Sequence, residues 1–130
     1  MKENEKAKKL LNEKEKACDF SLYRISRFLQ PSILLFLLEG PSYGYELIEK
    51  LNKLGFHSEA VDIGGVYRTL RKLERTGCVK SLWQKDGNRK KRMYRITSLG
   101  KSALKLWIGR IKERQKVLSR FVRMYERKIK

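Results

Sequence analysis

Acidic residues are scarce in this chain. Fourteen Asp and Glu face 32 Lys and Arg over 130 residues, giving a formal net charge of +18. So one-sided a balance implies a polyanionic partner, nucleic acid first and an anionic membrane second. Long apolar runs are also missing. The longest, Ile33 to Leu38, is six residues, far short of the roughly 20 that span a bilayer. The N-terminus is rich in Lys and Glu without an apolar segment, so no signal peptide is evident. Cys18 and Cys78 stand far apart with no CxxC partner and read as free thiols in a reducing cytoplasm, with a disulfide as the alternative. The single histidine, His57, falls in a connecting segment with no nucleophile motif beside it. No His/Cys/Asp cluster has metal-ligand spacing, and Gly64-Gly65 fits neither GxGxxG nor a P-loop. An enzyme, a metal and a cofactor are all unexpected. At this length one domain is expected, with helical extensions.

What is present is organised around Asp62 to Gly77. Asp62 suits an N-cap, its carboxylate accepting from the free amides of the first turn. Gly77 suits the left-handed residue that closes a helix. Between them Val66, Leu70 and Leu73 recur at helical spacing and form one apolar stripe. Gly64, Arg68, Arg71 and Arg75 fall opposite it, with Tyr67 and Lys72 on the flanks. One face therefore wants a core, and the other is a row of guanidinium groups opening on glycine. Glycine there permits close approach to another surface.

Upstream, residues 1–19 alternate Lys and Glu and read as a charged arm, a fraying helix or a disordered segment. Leu22, Ile25, Phe28 and Leu29 make a short amphipathic turn. Gln30-Pro31 marks a break, with Pro31 in the first turn of a new helix. Ile33 to Leu38 is apolar all round and should be buried, ending at Glu39-Gly40-Pro41. Ser42 is expected to cap the next helix, which carries Tyr45, Leu47, Ile48, Leu51 and Leu54 and stops at Gly55. Three helices with short links are the layout of a helix-turn-helix core.

After Gly77 the period changes. Cys78 to Gln84, with Val79, Leu82 and Trp83, reads as a strand whose tryptophan belongs to its core. Arg92 to Thr97 alternates, Tyr94 and Ile96 on one face and Met93 and Arg95 on the other. Between them, 85–91 reads as a cationic loop around Asp86-Gly87-Asn88, which is hairpin chemistry. Between Arg68 and Arg95 eleven cations meet two acids, so the charge is concentrated on the helix and this basic wing. Thr97 is expected to cap a last helix running from Ser98 to about Lys128. Leu104, Trp107, Ile111, Leu118, Phe121 and Tyr125 follow a heptad spacing along it, interrupted by Arg114. So long an apolar row exceeds what a small core covers, and a second copy of the chain is the expected cover, with the N-terminal arm or a fold back onto the chain's own domain as the alternatives.

Three separated motifs then resemble one family. They are Ser42-Tyr43-Gly44-Tyr45-Glu46-Leu47, the run from Gly65 to Val79, and Arg92-Met93-Tyr94-Arg95-Ile96-Thr97-Ser98-Leu99-Gly100. Together they resemble the PadR family of bacterial transcriptional regulators over about residues 30 to 125. Ala60-Val61-Asp62, Tyr67 to Leu70, Ser81-Leu82-Trp83 and Trp107 resemble its poly-β-hydroxybutyrate-responsive repressor branch. The resemblance implies a winged helix-turn-helix joined through its C-terminal helices, so with the composition of 1–19 the expected fold is mainly α with a small β wing: a charged arm at 1–19, a winged helix-turn-helix at 20–98, and a C-terminal dimerisation helix at 99–130. It also implies a homodimeric repressor of the bacterial cytoplasm and nucleoid, relieved by a small-molecule effector and bound to an inverted-repeat operator in double-stranded DNA. The residues expected at DNA are Ser42, Tyr43, Gly64, Tyr67, Arg68, Arg71, Lys72, Arg75, Arg89, Lys90 and Lys91. For Tyr67 a half-buried ring bridging to the wing is the alternative to the DNA-facing tyrosine it resembles. Trp107 reads as an interface aromatic, with a role in lining an effector cavity at the dimer centre as the alternative. Two other readings fit the charge: a sequence-independent basic nucleic-acid binder of architectural or RNA type, and a protein- or membrane-surface module using the basic tail.

Overall fold

The computed structural model of the chain describes residues 5–6, 25–54 and 62–130. The rest of the 1–19 arm, Leu22, Gly55, His57 and Ala60-Val61 lie outside the described residues. Helix α1 spans Ile25–Leu37, strand β1 Ser42–Tyr43, α2 Gly44–Leu54, α3 Ile63–Arg75, β2 Val79–Asp86, β3 Arg89–Ile96 and α4 Ser98–Lys128. The fold is mainly helical with a small antiparallel wing, as expected.

Helix α1 differs from its sequence reading. It passes through Pro31 without a break, although proline leaves the carbonyl four residues back without its usual partner. Leu29, Ile33, Leu34 and Leu37 explain this, because they form one buried face on both sides of the proline. Ending the helix at Gln30 would place the break inside the core. Nor is the segment buried all round: Leu35 and Leu38 are exposed.

Ser42 is not the cap of α2. It lies in β1, buried, and its hydroxyl donates to Glu46 Oε1 at 3.3 Å. The Tyr43 N–H donates to the same oxygen at 2.9 Å. Glu46 thus satisfies the helix entry from inside the first turn, as in one half of a capping box.

Helix α3 buries Val66, Leu70 and Leu73. Its C-terminus closes as expected: Gly77 has φ +84°, its N–H donates to Glu74 O, and the Cys78 N–H donates to Leu73 O at 2.8 Å. This pair of bonds is the Schellman motif, which satisfies carbonyls the helix leaves free. The N-terminus departs from expectation, since the Asp62 side chain makes no capping bond.

The sheet order is β1-β3-β2, all antiparallel. β2 and β3 extend further than the sequence suggested, and pair from Val79↔Ile96 out to Asp86↔Arg89. Lys85 and Arg89 to Lys91 are therefore strand residues, and the connection shrinks to Gly87-Asn88, with Gly87 at φ +67°. A glycine in that first position is what a two-residue type II′ turn requires. Tyr94 is buried and Arg95 exposed, as the alternation requires, but Ile96 and Met93, expected on opposite faces, are both half-buried.

Thr97 caps α4 as its sequence suggested, accepting from the Gly100 N–H at 3.1 Å. Its hydroxyl also donates toward the Gly77 and Cys78 carbonyls. One threonine thereby ties the helix entry to the end of α3. The helix is 31 residues, about 46 Å at 1.5 Å per residue. Only its first turns enter the core, through Gly100, Ala103 and Leu104. Leu104, expected at a dimer seam, is spent on the protomer's own core. Trp107, Ile111 and Leu118 are half-buried, while Phe121 and Tyr125 are 70% and 58% exposed.

Candidate nucleic-acid interface

Burial of Val66, Leu70 and Leu73 fixes the roll of α3. The opposite side, Gly64, Arg68, Arg71 and Arg75, is exposed. Lys72 is half-buried on the edge of that face. Ile63, which sequence reasoning passed over, opens the helix 59% exposed. By periodicity it continues the Val66, Leu70 and Leu73 stripe one turn back, so its sequence signal pointed to the core and not to exposure.

Arg68 folds back along the helix. Its guanidinium meets the Asp62 carboxylate at 3.1 Å and lies over Gly64, where a Cβ would sit 3.1 Å from one of its nitrogens. Both partners are exposed, so the pair is worth little to stability. It holds one cation of the row in place, whereas among the described residues Arg71 and Arg75 form no ion pair.

Tyr67 is half-buried. Its ring lies against Gly44 at the start of α2, so close that a Cβ there would meet it at 2.7 Å. Gly44 therefore sets how near α3 approaches α2. In the sequence Gly44 stood only inside a motif, with no sign of its ring contact.

Glu74 joins α3 to the wing. It accepts from the Ser81 hydroxyl at 2.5 Å, and Arg92 lies 3.7 Å from its other oxygen. Arg92 in turn sits over the Trp83 ring, 5.1 Å from its centroid. Trp83 is 63% exposed, so it is a platform on the wing and not the strand-core residue its sequence suggested. Glu74→Ala should loosen the wing while leaving the helical core folded. We expect faster amide hydrogen exchange in β2 and β3 and a stability loss of about 1 kcal/mol, the usual worth of one such bond. Unchanged exchange in the wing would show that Glu74 does not orient it.

One cluster beside the wing was not legible. Tyr43 and Tyr45 stack, with centroids 5.6 Å apart and planes 8° from parallel, and the Lys91 ammonium lies 4.5 Å over Tyr45. Lys91 is thus half-buried and turned to α2, away from the hairpin tip where it was expected. Tyr45, expected on an apolar helix face, is exposed. Near the tip, Lys85 and Lys90 face each other across the ladder and Arg89 follows, all exposed. Directly opposed like charges destabilise a hairpin, a cost that a polyanion would remove.

Burial pushes the Cys78 thiol above its ordinary pKa, opposed by a weaker hydrogen-bond effect from Thr76. A protonated, buried thiol is core material and not a nucleophile. Burial likewise raises Tyr94. Among the described residues no group of three or more His, Cys, Asp or Glu could hold a metal ion. No described helix is long and apolar enough to cross a membrane.

A three-helix core, a two-stranded wing and a guanidinium-bearing third helix define a winged helix-turn-helix protein. The family model for the PadR-like transcriptional regulators matches residues 33–106, and the chain belongs to that family. Among solved structures it is similar to a transcriptional regulator from Clostridium thermocellum, at 27% identity and TM-score 0.70, covering 80% of this chain and 99% of that one. A conserved protein described as a potential transcriptional factor is 30% identical over 77% of this chain and 89% of its own, with TM-score 0.69. Bacillus subtilis PadR in complex with operator DNA is 26% identical, with TM-score 0.56, covering 62% of this chain and 46% of that one. No curated protein gives a significant match.

Proposed function

We propose that this transcriptional regulator is a sequence-specific DNA-binding homodimer that represses by occupying an inverted-repeat operator, with an effector relieving repression. The observation that carries the reading is the exposed Gly64–Arg68–Arg71–Arg75 face of α3, held against the core by its opposite side. A helix of this kind fits the major groove, where arginine suits the O6 and N7 acceptors of guanine. The Bacillus subtilis relative is in complex with operator DNA, which supports duplex DNA as the partner.

Arg89 and Lys90, with Lys85, serve the phosphate backbone or minor groove beside the helix. Tyr43 offers the same backbone a donor, while Ser42 and Lys91 contribute less, since their polar ends are directed to Glu46 and Tyr45. Tyr67 and Lys72 flank the reading face. In this reading 1–19 is a charged N-terminal segment, 20–98 the DNA-binding unit and 99–130 the dimerisation helix. Trp107, half-buried beside the seam, is the residue to examine for an effector.

Arg71 is the test of base reading. Arg71→Ala should reduce discrimination between a selected operator and a scrambled duplex by about 1–3 kcal/mol, the worth of one bidentate base contact. Total affinity should change less, because phosphate contacts remain. Competition binding measures the ratio, and an unchanged ratio would remove Arg71 from base readout.

A further inference from the structure

Lys105, Lys112, Lys116, Arg120, Arg123 and Arg127 form one row on α4. At about 100° per residue they share an arc of roughly 80°, and the row runs for about 33 Å. All six are exposed. The other helical residues in that arc are Ser98, Ser102 and Gly109, so it contains no acid and no apolar side chain.

The opposite arc holds Gly100 and Leu104, which are buried in the protomer's core, and then the apolar row from Trp107 to Tyr125. The cationic row therefore points away from both the core and the apolar seam. Like charges three and four residues apart destabilise a helix. Glu113, at the edge of the row, relieves one of them through Lys116 at 3.4 Å. Net charge for solubility needs no single-signed row, and interspersed signs serve it better. A local conflict with folding of this kind marks a functional surface.

We infer that this outer face of α4 is a second nucleic-acid surface, which takes the phosphate backbone of a duplex without reading its sequence. It goes beyond the operator reading, because it sits on a different helix from the exposed arginine face of α3 and needs no base contact. Duplex DNA is favoured by what the arc lacks. A membrane-surface helix presents apolar side chains to insert beside its cations, and a single-strand binder presents aromatic rings for bases to stack on. This arc has neither, only evenly placed Lys and Arg, which suit phosphates held at fixed positions. One protein would then hold two duplex segments, one by the winged helix and one by α4.

The test uses the full-length chain bound to an immobilised duplex and offered a second, fluorescent duplex of unrelated sequence. The parent should capture the second duplex, and added salt should release it. Combining Lys112→Gln, Lys116→Gln, Arg120→Gln and Arg123→Gln should lower that capture roughly tenfold or more, with circular dichroism and binding to the first duplex unchanged. Lys112→Arg with Lys116→Arg should retain it. Arg68→Ala with Arg71→Ala separates the two surfaces: persistence of salt-sensitive, sequence-independent binding supports an independent row, and loss of all duplex binding overturns it. Equal capture by the glutamine variant overturns the inference. So does row-dependent binding of phosphatidylglycerol vesicles that excess duplex fails to displace.

Discussion

Phe121→Asp should make the protein monomeric and remove tight operator binding. Phe121 is 70% exposed on the protomer, with Tyr125 58%, Met124 56%, Val117 53% and Val122 52% beside it. These side chains extend well past Leu104, the last residue of α4 that the core buries. So large a contiguous apolar surface marks an interaction site, and a second copy in two-fold symmetry is the commonest solution. A carboxylate there would be desolvated and unpaired, at a cost of several kcal/mol. Within the isolated protomer the same change costs little, because the ring touches mostly solvent. The variant should therefore stay folded and helical while sedimenting as a monomer. Operator affinity should fall by about 10²–10⁴, because the second half-site is no longer held at high effective concentration. A variant that remains fully dimeric would refute the α4 seam.

Gly100→Val should unfold the junction between α4 and the wing. A Cβ at position 100 would lie close against the Cys78 carbonyl oxygen, a backbone atom, and 2.7 Å from the Ile96 side chain. Neither can yield cheaply: Cys78 O also accepts the Thr97 N–H at 3.0 Å, and Thr97 caps the helix. Overpacking commonly costs about 1–3 kcal/mol, and a fixed backbone clash belongs at or above the upper end. Urea denaturation measures it. A midpoint equal to the parent's would mean that α4 enters the core by another route.

The elements that propensity and periodicity define were legible in the sequence. The α3 stripe, its Gly77 closure, the Thr97 cap and the extent of α4 each depend on residues within one turn of each other. What failed were competitions decided by tertiary contact. Pro31 reads as a break until Leu29 and Ile33 are seen to share a buried face across it. Ser42 reads as a cap until β1 pairs with β3, which joins residues some fifty positions apart (Ser42↔Tyr94). Asp62 reads as a cap until the Arg68 guanidinium is found beside its carboxylate. At the site, the arginine face follows from periodicity alone. The Glu74–Ser81–Arg92–Trp83 chain and the Tyr43–Tyr45–Lys91 stack do not, since each needs the sheet register.

Hydroxyl-radical footprinting on a duplex selected from a random pool tests the central claim most directly. A dimer reading DNA through α3 should protect two half-sites of an inverted repeat, about one helical turn apart centre to centre. Protection at the base-contacted positions should persist at salt concentrations that remove non-specific binding. Selection that yields no consensus, with uniform protection that fades smoothly as salt rises, would contradict sequence-specific recognition and leave a general basic DNA-coating protein in its place.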